Sequence, residues 1–199
     1  MSNRGPALPR GRLIFALDAT ASREPTWHLA RDLQAKMFRE AAPVGKLDVQ
    51  LAYYRGFDEC RASKWVASGE QLAQLMNRID CRTGSTQIGR ILQHALNENA
   101  KQPVQALTFI GDALEEDLDP LAGLAGELGR AGVPIFMFQE GRDAAVRQAF
   151  QLLALRSGGR YFAFDPNKSR AVEQLSAQLN AVARLAAGDA GALALLSSN

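Results

Sequence analysis

Two carboxylates and three hydroxyls between positions 18 and 112 are the residues of this chain whose types and spacing could do chemistry. They are Asp18, Thr20 and Ser22 in LIFALDATAS, Thr86 in RTGSTQIGRIL, and Asp112 in ALTFIGDALEED. Each falls where an apolar run gives way to a loop, or where a helix is expected to begin. In an open α/β sheet those places share one edge, outside the carboxyl ends of the strands, where ligands bind. An oxygen-only donor set is hard, and suits a magnesium-type ion better than zinc or copper. Alternate residues Asp18, Thr20 and Ser22 can turn toward one point, and the hydroxyls can ligate a hard cation without adding charge.

The elements that must position these residues follow from hydrophobic period. Residues 12–17 form a short continuous apolar run, as expected of a parallel strand covered on both faces. Pro25 fits a first helical position, and Trp27, Ala30, Leu33 and Met37 recur at helical spacing up to Ala41. Pro43 and Gly45 punctuate before a second strand at 48–55. Gly56 and Asp58 signal a turn, so a third strand at 60–66 would pair as a hairpin, antiparallel and at the sheet edge. A helix is expected over 69–79, and Thr83-Gly84-Ser85-Thr86 opens another whose apolar face is Ile88, Ile91, Leu92, Ala95 and Leu96. Strands at 105–110, 133–138 and 160–164 then alternate with helices at 118–131, 143–156 and 169–187. That alternation predicts βαβ units in a doubly wound, Rossmann-like α/β fold, its six-stranded and mostly parallel sheet flanked by helices. The expected organisation is a lead-in at 1–11, one domain at 12–187, and a tail at 188–199. The leucines of the tail either fold back onto the domain or dock on a partner.

Composition removes several functions. The chain has 199 residues, 47% hydrophobic and 22% charged, which fits one soluble domain with a substantial core. A net charge of +2 with dispersed basic residues gives no nucleic-acid footprint, and the three Tyr and two Trp form no stacking platform. Cys60 and Cys81 are the two cysteines and lie in no CxxC pair, so reduced thiols are expected. The polar start MSNRGPALPRGR has no apolar core of a signal peptide, and LIFAL is interrupted by Asp18, so no membrane span is expected. The expected location is cytoplasmic.

In these motifs the chain resembles the von Willebrand factor A-type (VWA) domain, whose metal-ion-dependent adhesion site (MIDAS) reads Asp-x-Ser-x-Ser after the first strand. A Thr in a Gly-rich loop and an Asp after the fourth strand complete that site. Here the pattern is Asp18-Ala19-Thr20-Ala21-Ser22, Thr86 after Gly84-Ser85, and Asp112 after Ile110-Gly111, with Thr20 for the usual Ser. The resemblance covers about residues 12 to 187 and implies the strand order 3-2-1-4-5-6, strand 3 being the antiparallel edge. It implies that Thr20, Ser22 and Thr86 contact a Mg2+ or Mn2+ ion directly, with Asp18 and Asp112 holding it largely through waters. It further implies a non-catalytic module whose ion captures a Glu or Asp carboxylate of a protein partner, as in stand-alone intracellular bacterial members of the family.

Other readings of single residues stay open at this point. Thr86 alone could be a helix N-cap. Arg23 and Arg82 flank the expected ion and could read a partner's acidic surface, or could be solvated loop charges. His28 and His94 each lie on an expected helix without a second His at ligand spacing, which is the pattern of surface or core histidines. No Walker loop, nucleophile elbow or GxGxxG is present. One enzymatic alternative resembles the haloacid dehalogenase-type phosphatases, with Asp18 as nucleophile and Asp112 and Asp117 holding Mg2+. It leaves Ser22 and Thr86 without a joint role.

Overall fold

The computed structural model describes residues 10–41 and 46–196, so the expectations for residues 1–9, for Pro43 and Gly45, and for the last three residues lie outside it. The first strand, β1 (Gly11–Asp18), is buried along its whole length. Leu13, Phe15 and Leu17 join one apolar cluster while Ile14 and Ala16 join the other. Alternate side chains of a strand point to opposite faces, so a run without polar residues must be covered on both. Helices α1 (Trp27–Ala41), α2 (Gly69–Met76) and α6 (Ser169–Ala186) contribute to the first cluster, and α3 (Ile88–Lys101), α4 (Leu118–Arg130) and α5 (Ala144–Ser157) to the second.

The other strands are β2 (Leu47–Arg55), β3 (Glu59–Ala62), β4 (Ala106–Gly111), β5 (Ile135–Glu140) and β6 (Arg160–Phe164). They form one six-stranded sheet in the order β3-β2-β1-β4-β5-β6, parallel except for the β2–β3 hairpin. The register decides where polar residues meet. Asp18 lies opposite Tyr54 of β2, and Leu17 lies opposite Ile110 of β4, which brings Gly111 and Asp112 alongside Asp18 at the carboxyl edge.

Several boundaries depart from the sequence expectation for physical reasons. The third strand ends at Ala62, because Ser63 turns its hydroxyl to the Leu51 N–H, and the pairing resumes only as a bridge between Val66 and Val49. Pro25 lies in a 3-10 turn over Ala21–Thr26, and the α-helix begins after it at Trp27. The helix after Thr86 starts at Ile88 with Gln87 as its cap residue, so Thr86 stays in the loop. In the tail, α7 (Ala192–Leu195) packs on α6, with Ala192 and Leu196 buried and Leu195 exposed. Among the described residues no helix is long and apolar enough to cross a membrane.

Candidate metal centre

Asp18 ends β1 at the sheet's carboxyl edge and is fully buried, 0% exposed. Its Oδ1 accepts from the Thr20 backbone N–H at 2.8 Å and from the Thr20 hydroxyl at 2.6 Å, and its Oδ2 accepts from the Tyr54 hydroxyl at 3.0 Å. The first pair is an Asx-type turn, a local bond that a short carboxylate makes two residues on. Burial pushes the Asp18 carboxyl above its usual value, and the Thr20 hydrogen bonds pull partly against that. Burial also pushes the Tyr54 hydroxyl well up, with the Asp18 charge adding to it, so Tyr54 remains a donor.

Thr20 then points its hydroxyl toward Ser22, whose Oγ lies 3.1 Å away. Adjacent oxygens of an octahedral magnesium shell, with bonds of about 2.0–2.1 Å, stand about 3 Å apart. Thr86 joins them from the other side. Its Oγ1 accepts from the Glu115 N–H at 3.0 Å while its own N–H donates to Glu115 Oε2 at 3.0 Å. This reciprocal pair fixes the Thr86 hydroxyl and leaves it a second lone pair. The next residue, Glu116, accepts from the Ile88 and Gly89 N–H groups at 2.6 and 2.9 Å, capping α3 from the β4–α4 loop.

These groups surround a cleft of about 310 Å³ lined by Thr20, Ser22, Gly84, Thr86, Asp112 and Glu115 among others. Asp112 Oδ1 is buried there without a hydrogen-bond partner. A buried carboxylate oxygen left bare is uncommon and calls for a bound water or ion. Among the described residues no group of three or more His, Cys, Asp or Glu is arranged to hold a metal. The donor set is therefore hydroxyl-rich and hard, with Asp18 behind it and Asp112 beside it, and it fits a small divalent cation.

Two glycines permit this arrangement. A Cβ at Gly84 would collide with the Gly56 carbonyl of the β2–β3 turn, which also accepts from the Ser85 N–H at 3.2 Å. A Cβ at Gly111 would come within 2.7 Å of the Phe109 ring and 3.3 Å of Asp18 Cβ, wedging the two carboxylate-bearing strands apart.

The five residues of the sequence pattern thus come together, while the flanking residues divide. Arg23, expected as a possible contact for a partner, is 1% exposed and forms an ion pair with Glu140 at the end of β5, so it does not face a partner. A loop arginine beside Ser22 gives no hint of this in sequence, because its carboxylate partner is far along the chain. Arg82 is about half exposed, its side chain at 3.0 Å from Asp80 and 3.6 Å from Glu59 and its N–H bonded to the Ala19 carbonyl. Asp117 is exposed at the N-terminus of α4 and is not among the residues lining the cleft. Both Asp18 oxygens already accept hydrogen bonds, and Asp117 does not line the cleft with Asp112. His28 is exposed, and His94 shares a 2.8 Å hydrogen bond with Gln50 away from the cleft. Burial pushes the Cys60 and Cys81 thiols up to about 11, so neither is a ready thiolate. Sequence reasoning missed Tyr54, Glu115 and Glu116. The last two had one signal in sequence, the adjacent acidic pair that follows Asp112.

No protein-family model and no curated protein matches the chain. Solved structures do. The VWA domain of SpRpn10 superposes with a TM-score of 0.67 at 14% identity, over 85% of this chain and 95% of that domain. A von Willebrand factor type A protein from Catenulispora acidiphila gives 0.66 at 14% identity, over 87% of this chain and 43% of its own. Proximal thread matrix protein 1 from the mussel byssus, with a zinc-occupied MIDAS motif, gives 0.63 at 16% identity, over 89% of this chain and 46% of its own. The fold of this chain is the VWA-type fold.

Proposed function

We propose that the chain is an intracellular, metal-dependent protein-binding module. A divalent cation, Mg2+ or Mn2+, held by Thr20, Ser22 and Thr86 with Asp18 and Asp112 in support, captures a Glu or Asp carboxylate of a protein partner. The observation that carries this reading is the cleft lined by Thr20, Ser22 and Thr86 together with Asp112, one of whose oxygens is buried and unpartnered. A cation with few charged ligands keeps most of its charge, and a charge-assisted contact to a carboxylate adds specificity more than bulk affinity. Asp18 orients Thr20 and the Glu115 N–H orients Thr86, and in this reading half-exposed Arg82 would exchange its pairing with Asp80 for acidic surface of the partner. The reading is of binding and not catalysis, since the buried Asp18 carboxylate is engaged on both oxygens and no histidine lines the cleft.

The test is a thermal-shift titration of wild type and Thr86→Ala with MgCl2 and MnCl2, with ZnCl2 added because the mussel protein carries zinc at this motif. Wild type should gain stability by mass action, about 2.7 kcal/mol at a hundredfold excess over Kd, and the variant should gain far less. No shift of the wild type at millimolar metal would sink the proposal. A partner retained by wild type in magnesium should be released by chelator and should not be retained by Thr86→Ala.

A further inference from the structure

The turn that presents Ser22 lies on the surface, and one side chain fastens it from within. In the 3-10 turn Ala21–Thr26 the one buried residue is Arg23, while Ala21, Ser22, Glu24 and Pro25 are exposed. The Arg23 N–H donates to the Thr20 carbonyl at 3.0 Å, and its guanidinium forms the ion pair with Glu140, the last residue of β5. Glu140 holds the far end of the same turn as well. The Thr26 hydroxyl stands 3.0 and 3.1 Å from its two oxygens and 3.2 Å from the Arg23 carbonyl. In the sheet β4 lies between β1 and β5, so this clasp ties the turn after β1 to a strand two places away, past the strand that leads to Asp112. A buried ion pair is often no more stabilising than apolar side chains of similar volume, so stability alone does not explain charge at this place.

Resting on the metal-site reading above, we infer that Arg23 and Glu140 are positioning residues for the ion, a buried clasp that sets where Ser22 meets it. A small octahedral ion with short bonds holds its ligands within narrow limits. Thr20 is fixed from the strand side by Asp18 at 2.6 Å. Ser22 has no such support, because among the described residues its hydroxyl bonds only that of Thr20, at 3.1 Å. Its place therefore follows from the next residue, the one that is anchored. With the clasp closed, the Ser22 hydroxyl waits at ligand spacing from Thr20. With the clasp gone, the ion must order the turn as it binds, and its affinity falls by that cost. Groups that hold metal ligands from behind typically change metal affinity by about 10–100-fold when removed.

The test is calorimetric titration of Mn2+ into wild type, into the double variant Arg23→Met with Glu140→Gln, and into both of these carrying Ser22→Ala. Each is first checked for folding and melting temperature by circular dichroism. The double variant leaves no unpaired charge in the interior and keeps the net charge, so it removes the clasp with little change of field at the ion. It should bind Mn2+ about 10–100-fold more weakly than wild type. Ser22→Ala should cost wild type more affinity than it costs the double variant, because both changes act on one ligand. Wild-type affinity in the folded double variant, or an equal Ser22→Ala loss in both backgrounds, overturns the inference and leaves the metal site standing. Should the double variant not fold, Thr26→Val takes one hydroxyl from Glu140 and keeps both charges. Weaker Mn2+ binding by Thr26→Val is then expected, and unchanged affinity overturns the inference. Absence of Mn2+ binding in wild type refutes the metal site itself, and the inference with it.

Discussion

Both ends of the sheet bury charge, and they do so in opposite ways. At the amino end, Arg12 stacks its guanidinium 3.9 Å from the centre of the Trp65 ring and donates to Glu98 at 3.3 Å. Glu98 also accepts from Trp65 Nε1 at 2.7 Å and from Lys101 at 2.6 Å. Arg12 further donates to the Gln102 carbonyl, and its N–H to Gln105. Arg12 and Glu98 each have several partners there, which is how a buried ionic network becomes a strut. At the carboxyl end, Asp112 Oδ1 and Arg23 Nε are buried and bare. The closed network holds three chain segments together. The open one keeps unspent binding capacity beside a cleft, the condition of a site and not of a strut.

Three experiments would break or sharpen that contrast. The largest effect is expected from Arg12→Ala, which leaves Glu98 buried without its guanidinium. Removing one partner of a buried pair costs about 3–5 kcal/mol, seen as a lower urea midpoint, and metal binding should not change. If metal binding fell as well, the two ends would not be independent.

Asp18→Asn should behave in the reverse manner. Because burial raises the Asp18 carboxyl, its charge is a burden on the ion-free fold, and the amide keeps an acceptor for Thr20. The variant should melt at or above the wild-type temperature without metal, yet lose the whole ion-dependent gain of about 2.7 kcal/mol at a hundredfold excess over Kd. A marked loss of stability without metal would make Asp18 a strut like Glu98.

The smallest effect concerns pH. Burial pushes the Glu98 carboxyl up, but hydrogen bonds from Lys101 and Trp65 outweigh it and hold it below the usual glutamate range. A depressed carboxyl stabilises the fold above its unfolded value of about 4.3, and that contribution is lost as the pH falls through the lower folded value. The stability gap between wild type and Glu98→Gln, of about 1–2 kcal/mol for bonds to a charged group, should hold at neutral pH and close below about pH 4. A gap unchanged at acid pH would show that packing, not charge, carries it.

The contrast also explains what sequence could reveal. Strand alternation, the hairpin and the order of Asp18, Thr20, Ser22, Thr86 and Asp112 were legible because each rests on local period or on a short motif. The burial of Arg23 was not, since its partner Glu140 is brought in by β5 from far along the chain. The same holds for Tyr54, whose hydroxyl reaches Asp18 only through the parallel register of β1 and β2. Residues 60–66 looked like one strand because Val66 is β-branched and apolar, yet the hydroxyl of Ser63 interrupts the ladder. Local rules found the candidate ligands, and only the assembled sheet shows which side chains hold them in place.

The contact of Gly84 with Gly56 carries a consequence for inheritance. The tip of the edge hairpin, with Phe57 75% exposed beside it, is pressed against the loop that presents Thr86, with no space for a side chain between them. Position 84 is therefore tied to the path of the hairpin turn, whose Gly56 is constrained by its own positive φ of 61° while a Cβ there would meet open space. Among descendants of this sequence, a residue larger than glycine at 84 is admissible only where the hairpin turn has been lengthened or re-aimed. Lineages that remodel the tip around Phe57 must in turn adjust the loop that sets Thr86, so that the outer rim and the ion loop evolve as one heritable unit.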